Sequence, residues 1–287
     1  MRDALGFRTV VLTLLALFAF ASNSLLTRLA LGSHAIDAAS FTLLRLASGA
    51  LVLALLVRVQ TGSFGGVRGR SLLGPLALFG YAAPFSFAYL RIGAAVGALV
   101  LFGVVQLTMV GYGILRGERP SPVSWAGLLL ASAGLAVLTV PSATRPDPWG
   151  LALMVTAGVA WAAYSLAGRN SPDPVAANAW SFLASSLLGV LLALAMRPET
   201  PPSGRGVGLA LVSGGVTSGL GYAIWYRALP RLSVTQAAVA QLSVPVLAGL
   251  GAALLLGERL SGRLVVAGLL VLGGVALVLS ARHRAGR

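Results

Sequence analysis

The residues best suited to chemistry in this chain are aromatics and amides set in apolar surroundings: Tyr81, Trp161, Tyr164, Tyr222, Gln241, Asn23 and Gln106. Trp161 and Tyr164 lie three residues apart in TAGVAWAAYSL (156–166), so they share one helical face. An indole gives a broad apolar wall with one N–H donor, and its ring face attracts a cation. Two prolines add backbone acceptors. Pro245 frees the carbonyl of Gln241, and Pro84 frees that of Gly80, beside Tyr81. Such a set suits recognition of a small amphiphilic molecule. It does not suit covalent catalysis. The chain has no Cys, and its two His residues, His34 and His283, are far apart, so no metal site is expected. A nucleotide-binding GxxxxGK[ST] loop needs Lys, and there is none.

The elements that position these residues follow from composition. Of 287 residues, 57% are hydrophobic and 10% charged, outside the range of a soluble domain. A membrane helix needs about 20 mostly apolar residues. The sequence predicts ten such spans, at 9–31, 38–57, 71–90, 94–115, 122–140, 149–168, 175–196, 206–229, 232–256 and 263–281. Short polar connections rich in Gly, Pro or Ser separate them. On this reading the chain is an all-α polytopic membrane protein whose function lies within or at the bilayer.

Depth sharpens the candidates. Tyr81 is about 15 Å into its span and Trp161 about 18 Å, at 1.5 Å per residue, too deep for an interfacial belt. For Trp161 the alternative is packing between helices. Tyr164 is nearer the end of its span, where belt and gate readings compete. Trp225 and Tyr226 fit a belt. Asn23 with its neighbours Ser22 and Ser24, Gln106 and Gln241 either line a cavity or bond between helices.

All 21 basic residues are Arg, giving a net charge of +14. They stand singly or in pairs at span ends, without the basic stripe of a nucleic-acid binder. With the N-terminus inside, thirteen Arg fall in inside segments and seven in outside ones. The positive-inside rule then places both termini in the cytoplasm. The first span has the marks of a signal peptide, with Arg2 and Arg8 before an apolar core and Ala19-Phe20-Ala21; the repeat below predicts that it is retained. Arg45 lies within a span, a functional candidate by default. It could attract a carboxylate or pair with helix-end carbonyls.

The halves resemble each other. RGER at 116–119 recurs as LGER at 256–259, and FASNSLLTR (20–28) aligns with WAAYSLAGR (161–169) at an offset of 141. Phe20 is thus the counterpart of Trp161. The repeat unit is five spans, 1–142 and 143–287. An odd number inverts the second copy, as in many secondary transporters whose substrate site lies between the repeats. Glu118 and Glu258 flank helix ends, where a structural role is favoured.

Ten spans, two five-span repeats and a Gly-Glu-Arg after the fourth and ninth resemble the drug/metabolite transporter superfamily, in its EamA-type branch. WAAY, Tyr81 and GLGYAIW (219–225) are similar to the aromatic amino acid exporters of that branch. The resemblance implies export of small metabolites, often amino acids, without a cofactor. The Arg-only, Ala- and Gly-rich composition points to a GC-rich bacterial genome, and so to the plasma membrane. One departure is Val105, the counterpart of Pro245, where a second proline is expected. No Asp or Glu lies deep in a span, so the usual carboxylate ion-coupling site is missing. The expected partners are the lipid bilayer and a small substrate. Another cargo (a sugar, a purine, a lipophilic cation) is the alternative, and a channel would need a continuous polar stripe. The small-residue faces Gly127/Ala131/Gly134 and Gly268/Gly273/Gly274 could pack within the bundle, leaving a monomer, or between protomers.

Overall fold

The computed structural model describes residues 6–65, 71–92, 94–140, 147–169, 171–197, 201–257 and 261–281. The candidates Glu258 and His283, and the boundary between 142 and 143, lie outside them.

Every expected span is helical. They are α1 Phe7–Leu31, α2 Ala38–Thr61, α3 Leu73–Tyr89, α4 Ala94–Leu115, α5 Pro122–Thr139, α6 Pro148–Arg169 and α7 Pro174–Met196. The eighth span is composite: α8 Gly204–Val212, a π-helical segment Ser213–Leu220 and α9 Gly221–Ala228. The ninth is broken into α10 Val234–Ala240 and α11 Ser243–Leu256, and α12 Gly262–Ser280 closes the chain. Nine segments among the described residues are long and apolar enough to cross a membrane. The tenth, α3, has 17 residues, at the short end of what a bilayer core requires.

The starts are written in the sequence. Ser121, Asp173, Ser203, Ser233 and Ser261 each accept a backbone N–H of the first turn, satisfying donors that have no helical partner. Pro122 and Pro174 follow their caps, where a missing N–H costs nothing.

The surface is that of a protein solvated by lipid. Leu51, Leu129, Leu187, Leu191, Leu254 and Leu269 point outward and exposed, whereas Asn23, Arg45, Asn178 and Gln241 are buried. This is a polytopic membrane bundle, since backbone donors and acceptors are satisfied inside helices and the apolar exterior needs no water.

The major helix pairings recur when spans one to five are exchanged with six to ten. Helix α3 packs on α6 as the α8–α9 span packs on α1; α4 packs on α6 as α11 packs on α1; α2 meets α7, and α5 meets α12. The last pair is a glycine seam. A Cβ on Gly127 would stand 2.6 Å from the carbonyl oxygen of Gly274, and one on Gly274 2.5 Å from that of Gly127. Small residues let membrane helices approach this closely, where dispersion drives association. These faces therefore pack within the bundle.

Candidate functional site

At the centre five rings converge from four elements. The Trp161 ring of α6 lies 4.8 Å from Tyr81 of α3, 4.8 Å from Tyr222 of α9 and 5.3 Å from Phe20 of α1, between centroids. Phe20 also stands edge-on to Trp225. The Phe20–Trp161 planes cross at 89°, the edge-to-face geometry that ring quadrupoles prefer. The indole N–H finds an acceptor: Nε1 donates to Gln241 Oε1 at 2.5 Å. Trp161 is 5% exposed, so its depth reflects a place in this cluster and not a belt.

A cavity of about 30 Å³ opens among these rings. Of the sequence candidates, Asn23, Tyr81, Trp161, Tyr222 and Gln241 line it. Phe85 and Phe102 also line it; Phe85 stands four residues after Tyr81, on the same helical face, whereas nothing in its sequence surroundings marks Phe102. Both halves contribute. The volume decides the state: it holds about a water or two, far less than an amino acid, so the rings must part before a metabolite enters.

Tyr164 and Gln106 are not brought to this cavity. Tyr164 is fully buried and donates from Oη to Asn178 Oδ1 at 2.5 Å. Its backbone carbonyl accepts from Tyr226 Oη at 2.8 Å. Tyr226 in turn lines a second, larger cavity of about 450 Å³, bounded by Ser71, Asp173, Trp180 and Ser181 at the α6–α7 turn. Tyr164 and Tyr226, 5.0 Å apart, thus stand as a layer between the two cavities. Trp225 and Tyr226 are buried, which corrects the belt expectation; their hydroxyl and N–H are spent on protein partners. Gln106 donates from Nε2 to the Ala238 carbonyl at 2.6 Å, a bond between α4 and α10.

The proline expectations need revision. The break in the ninth span falls at Gln241–Leu242, four residues before Pro245, but the Gln241 carbonyl is not free. It accepts from Val244 N at 3.1 Å, the tighter i to i+3 bonding that helix ends adopt. The Gln241 side chain is engaged too, donating to the Ala237 carbonyl at 3.0 Å while accepting from Trp161. It is a cavity residue and an interhelical bond at once. Helix α3 runs through Pro84 without interruption.

Behind Tyr81 and Tyr222 lies the charge. Arg45, 1% exposed, donates from Nε to Ser218 Oγ at 2.9 Å and from Nη2 to Tyr222 Oη at 2.5 Å. It does not pair with helix-end carbonyls. The π segment explains the arrangement. With i to i+5 bonding, Ser213, Thr217 and Ser218 turn to one side, where Asn23 Oδ1 accepts from them at 2.7, 3.4 and 3.4 Å. Glycines permit the approach: a Cβ on Gly214 would lie 2.0 Å from the Arg45 carbonyl oxygen. The three glycines of SGGVTSGL were the available signal.

Glu118 is structural. Oε1 accepts from Val234 N at 2.6 Å, and Oε2 from Thr235 N and Thr235 Oγ1 at 3.1 Å each. Glu118 thus caps the start of α10, where the positive end of the helix dipole favours a carboxylate; Gln241 stands at the far end of that helix. Among the described residues no three His, Asp or Glu side chains gather to hold a metal.

A lipid-facing bundle enclosing a small aromatic and polar cavity is the architecture of a membrane transporter. Residues 148–280 match the EamA-like transporter family. The chain is 51% identical over 279 residues to the uncharacterized protein PA1977 of Pseudomonas aeruginosa, covering 96% of each. It is 30% identical over 211 residues to the aromatic amino acid exporter YddG of Ancylobacter novellus, covering 70% of this chain and 72% of that one. A probable amino-acid metabolite efflux pump of Salmonella typhimurium is 28% identical over 208 residues, covering 67% of this chain and 70% of that one. A solved crystal structure with 24% identity superposes with a TM-score of 0.81, covering 94% of this chain and 96% of that one, which shows the shared fold. The chain belongs to the EamA-like transporter family.

Proposed function

We propose that this transporter exports neutral, aromatic or hydrophobic amino acids and related small metabolites. It works from the bacterial inner membrane with both termini cytoplasmic, by alternating access between two inverted five-helix halves, 1–142 and 143–287. The observation that carries the reading is the ring cluster around Trp161, which both halves build. It offers apolar walls for a side chain and ring faces for an ammonium group. The exporter and efflux names of two relatives support the same substrate class. The exchange of packing partners between halves supports the two-state cycle. Carboxylates of the described residues stand at helix termini, as with Asp37, Glu118, Asp147 and Asp173. That favours downhill transport or exchange over ion coupling. A lipophilic cation is the alternative cargo that aromatic walls could also take; the buried Arg45 beside those walls weighs against it.

The test is exchange of labelled neutral amino acids in proteoliposomes, comparing wild type with Trp161→Ala and Trp161→Phe. Wild type exchanges them, Trp161→Ala loses at least about tenfold in rate, and Trp161→Phe keeps part of it. A wild type that moves none of the panel removes the amino acid cargo. Accumulation that depends on a pH gradient removes the uncoupled mechanism.

A further inference from the structure

Among the described residues Arg45 is the only buried charged side chain, and no carboxylate pairs with it. Its neighbours are neutral dipoles: the hydroxyls of Ser218 and Tyr222, and the ring of Tyr81, whose centroid lies 5.4 Å from the guanidinium carbon. The remaining nitrogen, Nη1, is buried and has no hydrogen-bond partner. Removing a charge from water without a counter-charge is unfavourable, and hydroxyl dipoles offset it only in part. A side chain kept this way invites an anion.

Position says where the anion would come from. Tyr81 and Tyr222, the two rings against the guanidinium, are both walls of the central cavity. The cavity must widen before it admits a metabolite, and parting those rings uncovers Arg45 to it. A guanidinium presents a planar fork of donors that matches a carboxylate. Trp161 and Gln241 line the same cavity, an aromatic face and an amide.

We propose that Arg45 is the carboxylate-binding group of the transport site, engaged by the substrate when the Tyr81–Tyr222 wall opens. This rests on the reading of the cavity as a transport site for amino acids. Tyr222 Oη then has a second role. It holds Nη2 in the empty site and yields it to the incoming carboxylate.

The experiment uses purified full-length protein in lipid nanodiscs and titrates it with matched pairs, phenylalanine against phenylalaninamide and phenylacetate against phenylacetamide, followed by Trp fluorescence and thermal shift. Wild type favours each carboxylate over its amide by about 10- to 100-fold, the range of a charged hydrogen bond. Arg45→Gln brings the ratio within about threefold. Arg45→Lys keeps part of the preference. Tyr222→Phe, which removes the competing hydroxyl, raises the carboxylate-to-amide ratio above that of wild type. Where Arg45→Gln does not fold, the wild-type ratio and its rise in Tyr222→Phe decide.

Amino acid exchange with a carboxylate preference that Arg45→Gln leaves intact overturns the role of Arg45 and spares the exporter reading. An Arg45-dependent preference for phenylacetate without any amino acid exchange does the reverse. A wild type indifferent to the carboxylate overturns the proposal outright.

Discussion

Phe20 and Trp161, 141 residues apart in the chain, meet edge to face at 5.3 Å in the middle of the bundle. They occupy matching places in the two sequence repeats, one an apolar ring and the other a ring with a donor. That difference is where the halves part company. Only the second supplies the N–H that Gln241 accepts.

The Trp161–Gln241 bond gives a first prediction. Gln241→Leu leaves the buried indole N–H without an acceptor, which costs about 1–3 kcal/mol. Its melting temperature falls and Trp emission shifts. Gln241→Glu retains an acceptor and is expected to perturb the emission less. Equal emission shifts in both variants would count against this bond.

Gly168 faces the Tyr226 ring. A Cβ placed there would stand 2.1 Å from a ring carbon, and a ring cannot shrink. Gly168→Ala therefore displaces Tyr226 from its bond to the Tyr164 carbonyl, at about 1–3 kcal/mol for overpacking. Because Tyr226 borders the 450 Å³ cavity, the variant also changes exchange rates in proteoliposomes. Unaltered stability and unaltered rates together would show that the layer is not tightly seated.

The Glu118 cap ties the halves together. Glu118→Ala leaves Val234 N and Thr235 N without their acceptor, a loss of about 0.5–2 kcal/mol by the measure of helix caps. Glu118→Gln keeps one oxygen and loses less. Thermal unfolding of the purified protein should rank wild type first, Glu118→Gln second and Glu118→Ala last.

The α5–α12 seam answers an alternative left open by composition. Gly127→Leu or Gly274→Leu cannot be accommodated, since even a Cβ there would stand about 2.6 Å from the facing carbonyl oxygen, so both variants lose folded protein on size-exclusion chromatography. Had these glycines served contact between protomers, the variants would stay folded and change only their oligomeric state.

The ten spans were legible because a bilayer imposes one strict rule, a run of about 20 apolar residues closed by polar ends. Caps such as Ser233, with Gln236 three residues on, announced helix starts by local hydrogen bonding. The deep aromatics Tyr81 and Trp161 were legible for the same reason, since depth along a helix is simple arithmetic.

Facing was not. In water a helix shows its buried side by amphipathicity, but lipid is as apolar as a protein core, and that signal is missing here. Gln106 and Gln241 are both amides in apolar runs. Only the packing sent one to the Ala238 carbonyl and set the other against Trp161 at the cavity. Arg45 was visible as a charge within a span, yet the choice between helix-end carbonyls and a site beside the cavity depended on Ser218 and Tyr222, more than 170 residues away. The sequence by itself determined how many helices cross the membrane and which residues sit deep. Tertiary structure decided which deep residues meet, because such meetings depend on helix rotation and on glycine contacts between segments distant in the chain.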